Sequence, residues 1–238
     1  GNYKLYAKTK LGSMHIGTAQ FELDVDDNKY IYTTEANTAS LLKAIYDYSR
    51  SEQSIGEVID GEVISNHISV VERIKNEVRK NYEITIIDRN YAISSDGKEW
   101  KIDPGNLVDH LSVYLALSID IQKNPDQAEF IYQVADEDGI QYQKFLVEGY
   151  KTVTIEENEI ETILINCPEL ELTLNLSIEH NLQPVLIYKV NGNKKTESFK
   201  DNNGKAVVEV LTNTQSWLCG DGKQINNVKP AEIKYDDL

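Results

Sequence analysis

The 238-residue chain reads as a mainly β protein, antiparallel meanders on either side of one central helix. Three observations carry that reading. Apolar and polar residues alternate with period two over most of the length. The alternating stretches end in hairpin dipeptides, among them Asp96-Gly97, Asp138-Gly139 and Asn191-Gly192. Only residues 104–120, PGNLVDHLSVYLALSID, turn clearly to a helical period.

From Asn2 the pattern is strand after strand. Tyr3, Leu5 and Ala7 alternate with lysines and Tyr6; Ala19, Phe21, Leu23 and Val25 alternate with polar residues; Asp26-Asp27-Asn28 turns the chain, and Tyr30 and Tyr32 return on the face opposite Ile31. Residues 39–48 fit a short helical face (Leu41, Leu42, Ile45, Tyr46) and a strand (Tyr46, Tyr48, Arg50) about equally. Residues 55–64 read as strand, turn and strand about Gly56 and Gly61. The β-branched content of residues 70–86 and the Lys75-Asn76 turn favour a long hairpin over a helix. A smaller hairpin follows over residues 91–102.

In the helix, expected over residues 106–120, Leu107, Val108, Leu111, Tyr114, Leu115 and Ile119 share one arc, with Asp109, Ser112 and Asp120 opposite. Pro104 and Gly105 break the preceding strand, and Asn106 is placed to cap the first turn. The segment is too short and too polar at its ends to span a bilayer. Beyond it, strands return around Asp138-Gly139, around the acidic turn Glu156-Glu157-Asn158, and in Leu170, Leu172, Leu174, Leu176 and Ile178, which alternate without a break. Residues 184–190 pair with that strand, and residues 194–199 come back through Asn191-Gly192. This makes residues 1–200 one β-rich domain of two pseudo-lobes joined by the helix, and residues 201–238, with a short apolar run at 206–211, a C-terminal appendage.

A formal net charge of −15 repels phosphate backbones and anionic membrane surfaces, and the lysines and arginines form no stripe. Nucleic acid is excluded as a partner on that ground. The only cysteines are Cys167 and Cys219, without a second pair at metal spacing. In an oxidising compartment they can close one long loop, a bond worth about 4 kcal/mol on the chain-entropy model; in a reducing one they stay thiols, and the residues leave both open. The start at Gly1, without an initiator Met, fits a mature secreted chain or a truncated one.

No stretch is a self-sufficient catalytic or cofactor motif, and no cofactor is expected. Asp24, Asp26, Asn28 and Glu35 have the oxygen spacing of a calcium loop, but Lys29 stands where a glycine is needed and strands flank the segment. His15, His67, His110 and His180 lie on separate elements with no i, i+4 pair. His110, within the helix beside Asp109, could be a general base, although a histidine at a helix flank is usually structural. Ser13, Ser65 and Ser112 sit in no nucleophile elbow. Cys219-Gly220-Asp221-Gly222 reads as a glycine turn, and Glu156, Glu157, Glu159 and Glu161 as solvated charge. Tyrosine stands out, with 14 residues against 4 Phe and 2 Trp. An apolar ring with a polar tip suits the wall of a cleft as well as a half-buried strand. Tyr46, Tyr48, Leu111, Tyr114 and Leu115 are the candidate ligand-lining residues.

The succession LGSMHIGTAQFEL, KYIYTTEANTASLLKAIYDYSRSEQSIGEVIDGEV, DHLSVYLALSID, DEDGIQYQKFLVEGYKTVTI and LNLSIEHNLQPVLIYKV resembles a family of exported bacterial proteins, domain-of-unknown-function family 3108. The resemblance covers about residues 3–199. Its motifs are Gly12 and Gly17, a serine-rich strand entering Gly56 and Gly61, Asp109 opening the central helix, and Gln183-Pro184-Val185. It implies a curved, clam-like or half-barrel antiparallel sheet similar to lipoprotein carriers, a periplasmic or otherwise exported location, and no catalytic residues. It also favours a Cys167–Cys219 disulfide. The expected function is a non-enzymatic envelope protein holding a lipid-like or amphiphilic molecule in a β-sheet cleft. The alternative is a structural or assembly partner that recruits another envelope protein through an open strand edge.

Overall fold

The computed structural model describes residues 2–11, 14–40, 42–44, 46–105, 107–155, 158–190, 207–212, 218–219 and 223–224. Eight strands precede the helix region: β1 (Asn2–Leu11), β2 (Met14–Asp26), β3 (Lys29–Thr38), β4 (Tyr48–Ile59), β5 (Glu62–Ile74), β6 (Glu77–Ile87), β7 (Tyr91–Ser94) and β8 (Glu99–Lys101). Then come β9 (Leu107–Asp109), the helix α1 (Ser112–Lys123), β10 (Glu129–Asp136), β11 (Gly139–Ile155), β12 (Asn158–Cys167), β13 (Leu172–Ser177), β14 (Gln183–Val190) and β15 (Val207–Thr212). All fifteen belong to one sheet, in the order β8-β7-β6-β5-β4-β3-β2-β1-β15-β14-β13-β12-β11-β10-β9. Every neighbouring pair is antiparallel except β9 with β10.

The expected hairpins are present, and their turns fall on residues that tolerate positive φ: Asp27, Asp60 with Gly61, Asn76, Gly97 and Gly139. The open choice at residues 39–48 resolves into turns at 42–44, with β4 beginning at Tyr48. The two meanders expected on either side of the helix are the two halves of this one sheet. The apolar run at 206–211, expected in an appendage, supplies β15, which bridges β1 and β14. The return expected over residues 194–199 lies outside the described residues. The long strand expected from Leu170 to Ile178 is trimmed to β13 by single 3-10 turns at Pro168–Leu170 and Ile178–His180.

The sheet curls because one core draws on both of its ends. Leu23, Tyr30, Tyr32, Val58 and Val63 from β2 to β5 share a cluster with Phe130, Phe145, Ile165, Leu174 and Ile187 from β10 to β14. Helix α1 fills the concave face between them, with Val113, Leu115, Ala116, Leu117, Ile119 and Ile121 all buried. The hydrophobic effect then holds helix and sheet as a unit, each fully buried apolar side chain stabilising by about 1.5–3 kcal/mol.

The free edges β8 and β9 are consecutive in the chain and meet at a seam. Ile68, Ile84, Ala92 and Ile102 pack there against Leu107 and Ala135, Trp100 lies against Gly139, and Lys80 pairs with Glu137. The result is a half-barrel around a helix. The helix begins later than its periodicity suggests, because Leu107–Asp109 bridges β10 in parallel, Leu107 opposite Gln133 and Val108 opposite Val134. No helix among the described residues is long and apolar enough to cross a membrane.

Candidate functional site

Strand β4 carries the site. Its inward positions run Tyr48, Arg50, Glu52, Ser54, Gly56 and Val58 without a break, the bulge opposite Ile55 and Gly56 lying on β5. The series passes from aromatic through charged and hydroxyl-bearing to apolar over about 30 Å of strand. The N-terminal end of α1 meets it at Ser54, so Tyr48, Arg50 and Glu52 lie on concave surface beyond the helix.

At Ser54 the wall and the helix are joined by one carboxylate. Asp109, fully buried, accepts hydrogen bonds at Oδ2 from Ser54 Oγ (2.5 Å), Ser65 Oγ (2.7 Å) and Ser112 Oγ (2.9 Å), and at Oδ1 from the N–H groups of Leu111 (2.8 Å) and Ser112 (3.1 Å). The last two satisfy donors at the helix start, so Asp109 does the capping expected of Asn106, which lies outside the described residues. The Tyr30 hydroxyl closes the network 3.1 Å from Ser54 Oγ and 3.0 Å from Ser65 Oγ. Burial, with the Asp109 charge second, pushes the Tyr30 phenol above its ordinary pKa. Asp109 and Ser112 were expected on the solvent side of the helix; both are completely buried. A buried polar group needs partners, and here each finds them in the others. The hub therefore supports the structure and leaves Asp109 no free lone pair for chemistry.

One residue along, His110 Nε2 stands 3.1 Å from Glu52 Oε1 in an ion-pair contact. Arg50 holds Glu52 through Nε and Glu72 through Nη1, the latter at 3.1 Å. Tyr48 donates its hydroxyl to Glu72 Oε2 at 3.2 Å. Burial raises the Glu52 carboxyl, but His110 and Arg50 outweigh it and draw the pKa down to about 2. Burial likewise opposes a charge on His110; the contact with Glu52 prevails and raises the imidazole. The Tyr48 phenol is pushed up to about 12, by burial first and Glu72 second.

The signs set a pH window. His110, raised above an ordinary 6.5, stabilises the fold fully below that value and loses the contribution as pH rises through its folded pKa. Glu52, lowered from 4.5, stabilises above 4.5 and loses the contribution as pH falls toward 2. The pair supports the fold most between about pH 4.5 and 6.5. Thermal melts should fall on the alkaline side of this window in the wild type and less so in His110→Gln; parallel profiles of the two proteins would remove the pair from the account.

The tyrosines divide. Tyr30 and Tyr32 are core residues, 0% and 1% exposed. Tyr46, just before β4, stacks on Tyr48 with centroids 6.1 Å apart and planes 7° from parallel, and 51% of Tyr46 is open to solvent. Leu111 and Leu115 belong to the packed core, and Tyr114 is half-buried against it, its hydroxyl raised by burial and then by nearby Glu52. Thus Tyr46 is largely exposed and stacked on a half-buried Tyr48, Tyr114 lies half-buried against the core, and Leu111 and Leu115 are in the interior. Beside Arg50 the cross-strand neighbours on β3 and β2 are small, Ala36 and Ala19; one row deeper lie Thr34 and Phe21.

The remaining motifs resolve simply. Asp24 pairs with Ile31 while Glu35 pairs with Gln20, four residues further along β3, so the calcium-like spacing is stretched along a hairpin. Among the described residues, no group of three or more His, Cys, Asp or Glu side chains is arranged to hold a metal ion. His67 sits on the outer face beside Thr85, and Glu156 and Glu157 are outside the described residues. Cys167 is buried and forms no disulfide among the described residues, and burial, first of all, pushes its thiol up to about 11. The side chain of Cys219 lies outside the described residues, so its pairing stays an expectation.

Comparison with known proteins bears on the fold. No family model matches the chain, and no curated protein does. Among solved structures the chain is similar to a β-barrel-like protein of domain of unknown function DUF1849 from Brucella abortus, with a TM-score of 0.50, 8% sequence identity, and coverage of 89% of this chain and 95% of that one. At that identity the likeness is one of architecture.

Proposed function

We propose that this is a non-enzymatic envelope protein that holds an amphiphilic molecule in the concave mouth beyond the helix. One observation carries the reading. Past the N-terminal end of α1, the inner face does not become uniformly polar; it sets the Tyr46/Tyr48 stack and the Arg50–Glu52–His110–Glu72 cluster beside Ala19, Ala36 and Phe21. A mostly apolar surface with a few fixed polar groups is what a small amphiphile requires. The same contacts support the non-enzymatic part of the reading: Asp109 already accepts five hydrogen bonds, and Glu52 and His110 are paired with each other. The resemblance to family 3108 supports an exported location and, with it, the Cys167–Cys219 bond. Intact mass under non-reducing conditions tests that bond; two free thiols would reject it.

Native mass spectrometry of the purified protein with decyl-chain amphiphiles should give a one-to-one adduct from which the amphiphile is recovered unchanged. No adduct with any headgroup would end the binding reading, and a converted amphiphile would end the non-enzymatic one. The assembly alternative has less support, since the edge strand β8 is three residues long and carries Glu99 and Lys101, features that discourage strand addition.

A further inference from the structure

We infer that this chain forms a two-fold dimer by strand addition, β11 of one copy pairing antiparallel with β11 of a second along residues 150–154. The inference goes beyond the amphiphile reading and does not depend on it. Its ground is a stretch of strand with one side open. Strand β11 runs for 17 residues, but β10 accompanies it only as far as Leu146, opposite Glu129. A last bond, from the Val147 N–H to the Ala128 carbonyl, ends that contact. Past the bulge between Val147 and Gly149, β11 pairs with β12 alone, from Gly149 opposite Leu164 to Ile155 opposite Asn158. Among the described residues, no strand lies on its other side there. Alternate residues of an antiparallel pair turn their N–H and C=O groups toward the partner strand. The Thr162 hydroxyl donates to the Lys151 carbonyl at 2.6 Å, so Lys151, and Val153 with it, faces β12. Tyr150, Thr152 and Thr154 therefore turn theirs to the open side.

Sheet edges are usually blunted by charge or brevity. Residues 158–161 of β12, beyond the reach of β13, carry Glu159 and Glu161. Residues 150–154, Tyr-Lys-Thr-Val-Thr, hold one charge and are otherwise aromatic or β-branched, a composition that favours strand pairing. Tyr150 is 78% exposed, and Lys151, Thr152 and Thr154 are exposed with it, while Val153, opposite the buried Ile160, is buried and holds the ribbon in place. The occupant is a second copy because this edge complements itself. With the two-fold axis at Thr152, Tyr150 meets the partner's Thr154 and Thr152 meets the partner's Thr152. Every outward-turned residue then finds another, for about six backbone hydrogen bonds. The side chains agree: an aromatic ring stands beside a threonine, threonine beside threonine, and Lys151 opposite the partner's Val153, so no like charges face each other. Moving the axis to Lys151 would set two lysines directly opposite; moving it to Val153 would carry Tyr150 beyond the end of the partner's strand. The interface is smaller than a standard one, so the dimer is reversible. Closure about a two-fold axis occupies both open edges and stops the assembly at two.

Sedimentation equilibrium of the full chain, from about 1 µM to about 1 mM, should show monomer passing to dimer and no further. With a net charge of −15 on each copy, the dimer should tighten as salt is raised from about 0.01 M to about 0.15 M, which shortens the screening length from about 30 Å to about 8 Å. Amide hydrogen exchange followed by NMR over the same concentrations should show protection rising at Tyr150, Thr152 and Thr154, with Lys151 and Val153 protected throughout. Thr152→Pro removes an outward N–H at the centre of the pairing and no bond to β12. It should weaken the dimer more than about tenfold and leave the circular dichroism of the monomer unchanged. The exchange pattern of the wild type decides the matter whatever the fate of that variant. A monomer at every concentration and salt, or growth beyond two copies, would overturn the inference. So would a dimer in which those three amides exchange as fast as in the monomer, or one that a folded Thr152→Pro forms at wild-type strength.

Discussion

Asp109→Ala should destabilise the fold by about 3–5 kcal/mol, the range seen when one side of a buried, charge-assisted network is removed. Five donors lose their acceptor at once: three serine hydroxyls and two backbone N–H groups, all in a wall that water does not reach. The cost comes less from lost attraction than from donors left unsatisfied, each worth about 1–3 kcal/mol before relaxation. For a chain of this size that is a fall of roughly 10 °C in melting temperature. Graded variants separate the causes. Asp109→Asn keeps one acceptor oxygen and turns an NH2 toward hydroxyls that can accept from it, so it should fall between wild type and Ala. Ser112→Ala removes one donor but also the acceptor of the buried Asp109 N–H (2.9 Å), so it should cost about 1–3 kcal/mol, less than Asp109→Ala. Urea denaturation with an unchanged slope measures all three. A cost for Asp109→Ala within about 1 kcal/mol of wild type would mean that the hub is not where helix and sheet are joined.

That hub marks the boundary of what the sequence makes legible. Hairpins are local: an alternating run, an Asp or Gly that tolerates positive φ, and a second run suffice to place β2 with β3 or β10 with β11. The helix start is not local. Leu107, Val108 and Leu111 fit a helical arc, yet β9 pairs in parallel with a strand more than twenty residues ahead, and only that partner decides its conformation. The bulge between Ile55 and Gly56 is equally hidden. It shifts the inward phase of β5 from Val63 and Ser65 to Ile68 and Val70, a slip that a strict period of two cannot anticipate.

The candidate site was half visible. Tyr46 and Tyr48 stand out in a chain rich in tyrosine, and Ser65, Ser112 and His110 are each visible as single residues. Their meeting with Ser54, Tyr30, Arg50 and Glu72 depends on pairings 22 to 55 residues apart. The signal that could have found them is on β4 itself, where Arg50, Glu52 and Ser54 occupy inward positions that an ordinary half-buried strand would give to apolar residues.

Gly56→Ala should cost about 3 kcal/mol or more. A Cβ at this position would lie 2.1 Å from the Ile64 carbonyl oxygen and 2.6 Å from both Cε1 and the hydroxyl oxygen of Tyr30. The absent side chain is what lets the Tyr30 ring lie flat across β4 and bring its hydroxyl to Ser54 and Ser65. Tyr30 cannot swing away, because it is fully buried and its ring is enclosed by the core of β2 to β5. The Ile64 backbone also resists moving, since Ile64 pairs with Glu57 and its neighbours Val63 and Ser65 pair with Val58 and Gly56. The added methyl must therefore displace the ring, and with it the hydroxyl that completes the Asp109 network. A double-mutant cycle separates this from simple crowding. In a Tyr30→Leu background the ring is gone, so Gly56→Ala should cost less by about 1–2 kcal/mol than it does in the wild type. Additive costs would locate the whole clash at the Ile64 carbonyl and detach Gly56 from the polar hub, whereas the expected coupling makes this glycine the reason that a core tyrosine can serve a buried carboxylate.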